Sequence, residues 1–529
     1  MKIALIAPPY PLEQAPSPPL GICYVASACI AAGHEVTILD YIVSQYRPEK
    51  LKAELDAFQP DVVGATSVTM NFPAAAEIMK TVKIHRPQAV TMMGGPHVSF
   101  DQENVLNAYP EVDVIVSGEG ELTLKELLPA IHDRSVWKDI RGIAFMEEGR
   151  IIKTPPRELI QDLDALPIPT RDLLPMSKYL ALGFPVSIIT SRGCPNKCIF
   201  CLGRKMVGMK VRYRSAKKIV DEIEYLLSFG LSRINIADDF FTANKKRVAE
   251  FCEEILKRDI RFAWSAFARV DSVNRETLDL MKKAGCDAVS FGIESGNPEI
   301  LKTVQKNITP DQAEKAVQMC KESGMIAHAS FILGLPGETR DSMEETLQFA
   351  KGLNIPFGYH LLSPFPGTTI REDISNYDLE ILTDDWNLYD ADHAIVQTRS
   401  LSAEEIGRFA EVFNQEIQNE FDEAKKRYEN GTCSDEDFFK VAGTNRMEII
   451  FKILSEDLVE KMGGYETGKN ENDHSLVFAR MIADHIGKDL FSVEQVVRSL
   501  FEIKYLQYAI DGTAITWYWT KNHRTGMPN

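Results

Sequence analysis

The segment Ser191-Arg192-Gly193-Cys194-Pro195-Asn196-Lys197-Cys198-Ile199-Phe200-Cys201 places three cysteines at C-x3-C-x2-C spacing. It follows an apolar run at residues 186–191 that predicts a buried strand. A [4Fe–4S] cluster ordinarily takes four protein thiolates, and no fourth cysteine lies nearby. Cys194, Cys198 and Cys201 therefore predict a cluster with one iron open to a small molecule. A structural zinc loop is the alternative, but zinc would want a fourth Cys or His at its own spacing.

Six short apolar runs, separated by helical segments, extend from this loop toward the C-terminus. The runs lie at 186–191, 233–237, 261–267, 288–293, 326–333 and 357–362. The helical segments lie near 215–229, 244–258, 275–284, 310–322 and 340–352. Six strand–helix units are too few for a closed eight-fold barrel. Residues 186–374 thus predict a partial (β/α)6 barrel with its active site at the carboxyl ends of the strands.

Residues 1–135 show a second alternation of strands and helices. Strands are predicted at 2–7, 35–40, 62–66, 89–93 and 112–116, and helices near 21–32, 49–58, 74–85 and 101–108. The pattern predicts an α/β domain with a Rossmann-like, doubly wound parallel sheet. Ligands bind such sheets at the carboxyl ends of the strands. The loops there are rich in proline, glycine or hydroxyl residues, at 8–10, 66–69, 94–97 and 118–121.

Two further regions complete the predicted organisation. Residues 136–185 are rich in proline and predict an irregular connector between the domains. Residues 375–529 predict a helical C-terminal region that closes the substrate cavity, with capping boxes at 402–405 and 492–495. For the tryptophans within 517–519 we expect core packing, with lining of the substrate cavity as the alternative.

Charge and cysteine usage exclude several classes of protein. The 529 residues carry 59 Lys and Arg against 76 Asp and Glu, a net charge of −17. This charge disfavours a nucleic-acid partner and broad adhesion to anionic membranes. No run approaches the roughly 18 apolar residues of a membrane span, and the first run stops at Pro8, short of a secretion signal. Nine cysteines, an odd number, then predict a reducing, cytoplasmic compartment.

The cysteine spacing at the first barrel strand, with the aromatic Phe200 before the last cysteine, resembles the radical S-adenosylmethionine (SAM) superfamily. The resemblance implies that the open iron holds the amino and carboxylate groups of SAM, with Phe200 near it. One electron, from an external donor such as flavodoxin or ferredoxin, then cleaves SAM to methionine and a 5′-deoxyadenosyl radical, which abstracts a substrate hydrogen. The protein supplies position and exclusion of water.

Residues at the ends of later strands are expected to contact SAM by the same resemblance. Asp238 and Asp239 face its ammonium, although the superfamily more usually has Gly-Gly-Glu there; capping of the next helix is the alternative. Arg269 pairs with its carboxylate, and the alternative is a surface salt bridge. Glu294 and Ser295 belong to a Gly-Ile-Glu-Ser-Gly motif in which glycine lets the backbone approach a ligand; the alternative is a turn with a solvated Glu.

For the segment after the fifth barrel strand and for the remaining cysteines, we expect structural rather than catalytic roles. Residues 334–339 are expected to shape the adenine pocket, with Glu338 capping a helix. Six cysteines lie apart from the cluster loop and are expected to be buried, small apolar side chains rather than ligands.

A doubly wound domain before such a barrel narrows the family. Motifs at 18–21, 61–64, 94–97 and 118–121 together resemble the cobalamin-binding radical SAM family, over about residues 1–370. That family includes methyltransferases acting on unactivated carbon or phosphorus, the anaerobic cyclase of the fifth chlorophyll ring, and ring-contraction enzymes. The cobalamin contacts that the resemblance implies are Tyr10, Thr66, Ser67, Thr69, Gly94, Gly95, His97, Gly118, Glu119 and Gly120.

The sequence departs from other B12 proteins in one respect. It lacks the Asp-x-His-x-x-Gly signature whose His replaces the lower axial ligand; residues 390–393 do not match it. We therefore expect no protein His on cobalt, with His97 at the corrin edge or the nucleotide tail. No G-x-G-x-x-G follows the first strand, which argues against NAD. A nucleotide-binding or purely structural domain is the alternative.

The resemblance predicts a cobalamin-dependent radical SAM enzyme that methylates an unactivated carbon. Radical cyclisation or rearrangement is one alternative, and a non-catalytic cobalamin-binding protein is another. A tRNA methylthiotransferase is rejected because it needs a second cysteine triad upstream, where only Cys23 and Cys29 lie. We expect a small-molecule, lipid, tetrapyrrole or peptide substrate, and no catalytic residue is assigned.

Overall fold

The structure is a computed structural model that describes residues 1–12, 15–466 and 473–520. Within these residues, no helix has the length and apolar character needed to cross a membrane.

The N-terminal part of the chain forms one seven-stranded sheet with helices on both faces. Its strands are β1 (Lys2–Ala7), β2 (Glu35–Asp40), β3 (Val62–Thr66), β4 (Val90–Gly94), β5 (Val114–Val116), β6 (Ile143–Glu147) and β7 (Arg150–Lys153). Its helices are α1 (Leu20–Ala31), α2 (Pro48–Phe58), α3 (Phe72–His85), α4 (Pro96–Phe100), α5 (Gln102–Ala108) and α6 (Gly120–Leu127). The strand order is β2-β1-β3-β4-β5-β6-β7, with β1 to β5 parallel. The predicted doubly wound fold is confirmed.

Residues 143–153 extend this sheet. β6 pairs antiparallel with β5, and β7 pairs with β6. The turn between them uses Glu148 and Gly149, whose φ of 48° and 75° suit a two-residue hairpin. The prediction of an irregular connector over 136–185 is wrong for this stretch, because the prolines that motivated it all follow residue 153.

The central part of the chain forms the predicted partial barrel. Its strands are β8 (Val186–Ile188), β11 (Arg233–Ile236), β12 (Ala263–Ala268), β13 (Cys286–Glu294), β14 (Ile326–Leu333) and β15 (Phe357–Leu361). Two further strands, β9 (Ser191–Arg192) and β10 (Arg212–Tyr213), pair with each other in a separate short ladder. Its helices, with one from the connector, are α7 (Met176–Leu182), α8 (Gly203–Val207), α9 (Ala216–Leu227), α10 (Lys245–Lys257), α11 (Arg275–Lys283), α12 (Pro298–Thr303), α13 (Pro310–Glu322), α14 (Arg340–Gly352) and α15 (Thr369–Glu372). Six parallel strands run in the order β8-β11-β12-β13-β14-β15, with β8 and β15 at the edges.

The two faces of the barrel strands differ in exposure. On β13, Val289, Phe291 and Ile293 are fully buried under the surrounding helices. The residues between them, Ser290 and Gly292, are partly exposed, and β14 shows the same alternation. Because successive side chains on a strand point to opposite faces, the inner face of the barrel is open to solvent.

The C-terminal region combines helices with short strands. Its helices are α16 (Ala403–Glu429), α17 (Asp435–Ser455), α18 (Leu458–Met462), α19 (His474–Ile486) and α20 (Leu490–Glu502). Its strands are β16 (Glu380–Ile381), β17 (Val396–Gln397), β18 (Gly464–Glu466), β19 (Leu506–Asp511) and β20 (Ala514–Trp519). The last three form an antiparallel sheet, so the prediction of a helical region is right for most of the segment and incomplete at its end. Trp517 and Trp519 lie on β20 at 2% and 3% exposure, which confirms core packing.

One of the two predicted capping boxes is present. Ser402 and Glu405 form it at the start of α16. The second prediction is wrong, because α20 begins three residues before Val493 and Asp489 caps it, accepting a hydrogen bond from the Ser492 backbone N–H. Asp and Ser are equally good caps, so the sequence alone does not choose between them.

The C-terminal region packs on the N-terminal side of the molecule. Its core includes Leu12, Val43 and residues of α7. Across this contact, Lys50 Nζ binds the buried Asp457 at 2.6 Å.

Candidate active site

A closed loop at the carboxyl end of β8 carries the three cysteines. It lies between Arg192 and Arg212, which pair across the β9–β10 ladder. Gly193 has a φ of 113°, and a Cβ there would lie 2.4 Å from the Lys210 carbonyl oxygen. The Cys194 N–H donates to the Gly208 carbonyl. We call residues 193–211 the cluster loop; its tight closure depends on glycine.

The three thiols have polar neighbours that suit metal-bound sulfur. Asn196 Nδ2 donates to Cys194 Sγ at 3.3 Å, and the Gly203 N–H donates to Cys201 Sγ at 3.4 Å. Burial raises the pKa of the Cys201 thiol to about 11 and also raises that of Cys198. Metal binding is what converts such thiols to thiolates at neutral pH.

The donor atoms of the cluster loop bear on which metal centre it suits. Within 1–12, 15–466 and 473–520, no three His, Cys, Asp or Glu side chains gather as ligands of a single ion. In a [4Fe–4S] cluster each cysteine binds a different iron, so its ligands stand farther apart than those of one ion. Burial is the main cause of the raised pKa of Cys201, and the charges of Cys198 and Cys194 add to it. The donor set, three thiols on one short loop, suits an iron–sulfur cluster.

The two adjacent aspartates after β11 have different surroundings. Asp238 is buried and accepts from the Thr190 N–H at 2.5 Å and from Ser191 Oγ at 2.6 Å. Asp239 is exposed on the wall of a cavity between the domains. Neither caps the next helix, because Asn244 caps α10. Asp239 is thus the better placed of the two to meet the SAM ammonium.

Arg269 and Glu294 are joined through a lysine that the sequence did not reveal. Glu294, at a bulge with φ of 71°, accepts from Lys306 Nζ at 2.6 Å. Arg269 Nη2 donates to the Lys306 carbonyl at 2.9 Å and to Asp271 at 2.9 Å. The Ile199 N–H of the cluster loop donates to the Val304 carbonyl at 3.2 Å, so the turn that carries Lys306 lies beside the loop. A lone lysine in a turn has no sequence signature.

Ser295 is buried, whereas Phe200 is only partly buried. Ser295 is fully buried, with its hydroxyl 3.1 Å from Thr346 Oγ1. Phe200 packs in an apolar cluster with Ile300 and Leu335. Their contact with SAM stays a prediction.

A cavity of about 300 Å³ lies between the N-terminal sheet and the barrel. From the barrel side it is lined by Ile189, Ser191, Arg192, Ala237 and Asp239, among others. Among the described residues, none of its lining comes from the C-terminal region, so the expected closure by that region is not seen at this cavity. Six of the ten predicted cobalamin contacts line it: Thr66, Gly94, Gly95, Gly118, Glu119 and Gly120.

The N-terminal wall of this cavity depends on glycine. Gly95 has φ 103° and ψ 177°, and a Cβ there would lie 2.6 Å from the Ser67 carbonyl oxygen. Gly64, Gly94, Gly118 and further glycines also line the wall, beside apolar side chains such as Met92 and Val116. A wall made of glycines and apolar side chains leaves room for the broad face of a corrin ring and suits it chemically.

The other four predicted contacts lie off this wall. His97 is 1% exposed, stacks on Phe72 with ring centroids 4.1 Å apart, and meets Trp386 edge-on. Burial and Arg371 lower the pKa of His97 to about 4. For His97 this packing argues against a cofactor contact. The roles of His97, Tyr10, Ser67 and Thr69 stay predictions.

These features define a class: an iron–sulfur enzyme with a partial barrel whose cluster loop faces a second cofactor domain. Two family models match, the radical SAM superfamily over residues 188–350 and the B12 binding domain over residues 14–128. The chain belongs to the cobalamin-binding radical SAM family. The predicted enzyme class and the cofactor set of [4Fe–4S] cluster, SAM and cobalamin are confirmed with it.

The relatives of this chain carry the names of different reactions. An uncharacterized methyltransferase of Pyrococcus horikoshii is 37% identical over 418 residues, covering 77% of this chain and 90% of the relative. The anaerobic magnesium-protoporphyrin IX monomethyl ester cyclase of Rubrivivax gelatinosus is 31% identical, covering 68% of this chain and 66% of the relative. The cobalamin-dependent SAM radical enzyme OxsB, solved with aqua-cobalamin and SAM, shares the fold at TM-score 0.68 and 17% identity, covering 95% of this chain and 79% of that one.

Proposed function

We propose that this enzyme methylates an unactivated carbon of its substrate. One observation carries the proposal. A single cavity is lined on one side by the residues between β8 and the cluster loop, and on the other side by the glycine-rich loops of the N-terminal domain. When bound, the cluster supplies the electron that cleaves SAM, and cobalamin supplies the methyl group that a substrate radical takes up. The methyltransferase relative, at 37% identity, supports this reaction.

The chain's own residues orient the reactants. Asp239 accepts hydrogen bonds from the SAM ammonium at the cavity wall. Arg269 stays charged beside the cluster loop, since Asp271 stabilises its guanidinium against burial and the pKa of Arg269 is raised. The Lys306–Glu294 pair fixes the end of β13 next to this group.

The inner face of the barrel favours a bulky substrate of low charge. Its inward positions include the hydroxyls of Ser265, Ser290 and Ser330 and the half-exposed ring of Phe267. Small side chains leave room where a closed barrel is filled by bulky ones. The charged groups near the two ends of the strands are paired, Arg233 with Asp287 and Lys306 with Glu294. Lipids and tetrapyrroles fit this interior better than polyanions.

Cyclisation is the second candidate, because the cyclase relative covers two thirds of this chain. The product set separates the two reactions. Methylation forms S-adenosylhomocysteine from one SAM and 5′-deoxyadenosine with methionine from a second, whereas cyclisation forms only the latter pair. Anaerobic protein loaded with cobalamin is assayed for both nucleosides. Absence of S-adenosylhomocysteine during turnover contradicts methylation.

Two further parts of the proposal concern the surroundings of the enzyme. An external one-electron donor such as flavodoxin or ferredoxin reduces the cluster, since each SAM cleavage consumes one electron. A reducing, cytoplasmic compartment is supported by nine cysteines that are all free.

A further inference from the structure

One carboxylate of the N-terminal domain holds both ends of the cluster loop. Glu119 Oε1 accepts from Arg192 Nη1 at 2.9 Å, and Glu119 Oε2 accepts from Arg212 Nη1 at 2.9 Å. Arg192 immediately precedes the loop and Arg212 immediately follows it. The two arginines also face each other in the β9–β10 ladder. The loop therefore leaves and rejoins the barrel at one anionic anchor from the other domain.

The anchor is buried and its hydrogen bonds are well satisfied. The side chains of Arg192, Arg212 and Glu119 are 9%, 3% and 6% exposed. Burial alone would raise the pKa of Glu119, but hydrogen bonds from Arg212 and Arg192 lower it. The Ile160 N–H donates a further bond to Glu119, at 2.8 Å. Hydrogen bonds between charged partners in such surroundings hold a fixed geometry.

A second carboxylate of the same turn strengthens the grip. Glu121 Oε1 accepts from Arg192 Nη2 at 2.6 Å. The guanidinium of Arg192 also lies over the ring of Tyr24, 5.0 Å from its centroid. Glu119 and Glu121 flank Gly120, in the turn that lines the cavity. The turn on the cobalamin side and the loop that carries the cysteines are thus joined by direct ion pairs.

We propose that Glu119 is a positioning residue: by holding Arg192 and Arg212, it sets the distance between the iron–sulfur centre and the cobalamin bound by the N-terminal domain. The inference rests on the proposed function in taking both cofactors to meet at this cavity. The radical that forms at the cluster and the methyl group that cobalamin supplies would have to reach the same substrate carbon. A small shift between the two cofactors would therefore lower the fraction of SAM cleavage events that yield methylated product.

The test uses Arg212→Lys and Glu119→Gln. Lysine keeps the charge at 212 but loses the fork that also binds the Ile160 and Val207 carbonyls. Glutamine puts a donor where Glu119 must accept. The matched control is Glu222→Gln, which weakens the buried pair between two barrel residues, Glu222 and Arg214, and leaves Glu119, Arg192 and Arg212 in place. Arg214 also donates to the Tyr24 hydroxyl at 3.4 Å, a contact that the substitution does not remove.

The first readout is electron paramagnetic resonance of the reduced holoenzyme, with cobalamin as cob(II)alamin and the cluster in its one-electron-reduced state. The interaction between two spins depends steeply on their separation. We expect it to change in both test variants and to match wild type in Glu222→Gln. More 5′-deoxyadenosine should also form per methylated product. A wild-type interaction in loaded Arg212→Lys and Glu119→Gln would overturn the proposal.

The second readout needs no cofactor. Hydrogen exchange of residues 193–211 should quicken roughly tenfold or more in the two test variants, and not in Glu222→Gln. Unchanged exchange overturns the anchoring role even where a variant loads poorly. If wild-type protein takes up iron but no corrinoid, the cobalamin half of the proposed function fails. The exchange result still decides whether Glu119 holds the cluster loop.

Discussion

At the scale of single residues, we expect substitutions of the neighbouring Asp238 and Asp239 to have different effects. We expect Asp239→Asn to weaken SAM binding roughly tenfold to a hundredfold, as for the loss of one charged hydrogen bond, with little change in melting temperature. Asp238→Asn should instead lower the melting temperature, because an NH2 donor replaces one of the two oxygens that accept from the Thr190 N–H and the Ser191 hydroxyl. Calorimetric titration of SAM and thermal unfolding check both. Equal effects of the two changes on SAM affinity would contradict the assignment.

Glu338 gives a pH dependence with a defined sign. It is fully buried, with Oε2 accepting from the Gly334 and Leu335 N–H groups. Burial raises its pKa from 4.5 to about 8, so the folded state binds this proton more tightly than the unfolded state. Stability linked to Glu338 is therefore lost as pH rises from about 5 through 8, on the order of 5 kcal/mol in total.

Glu338→Gln should remove this dependence while keeping an acceptor for the two N–H groups. We expect the variant to gain stability relative to wild type as the pH is raised from 6 to 9 in urea unfolding. Glu314→Gln, at an exposed position on α13, is the control and should follow wild type. Parallel curves for wild type and Glu338→Gln would show that Glu338 ionises without penalty.

At the scale of elements, the turn after β4 depends on a backbone that only glycine adopts readily. Gly95→Ala should cost about 1–3 kcal/mol and abolish cobalamin uptake, because the new methyl group meets the Ser67 backbone. Gly33→Ala is the matched control: its φ is 85° but nothing lies within 4 Å of the new Cβ. It should show backbone strain with normal corrinoid content. Normal cobalamin uptake by Gly95→Ala would show that this turn does not contribute to the cobalamin site.

Local patterns predicted most elements and few of the contacts between them. Apolar periodicity placed the parallel strands within a few residues, since each strand is short, buried and followed by a helix. The β6–β7 hairpin was missed because its cue is a Glu148-Gly149 turn, weaker than the prolines nearby. Lys306 and the Glu119–Arg192–Arg212 group were missed because ion pairs between residues distant in sequence leave no local pattern.

At the scale of the whole molecule, the exposed inner face of the barrel is directly testable. In Ser290→Cys, the new thiol should react with a maleimide reagent at the rate of a partly exposed cysteine. In Val289→Cys, one residue away on the buried face, it should be protected. Mass spectrometry of the peptides separates these sites from the native cysteines. Equal protection at both positions would mean that the interior is closed.

The double grip of Glu119 limits how the protein can be taken apart. A barrel produced alone, from residue 186 onward, would keep Arg192 and Arg212 side by side where the cluster loop closes, without their ion-pair partners Glu119 and Glu121. Two neighbouring cations would then repel each other at the point where the loop must close. The two halves are therefore not interchangeable modules. A chimera with a different N-terminal domain would keep a properly closed cluster loop only if that domain places acidic side chains where Glu119 and Glu121 lie.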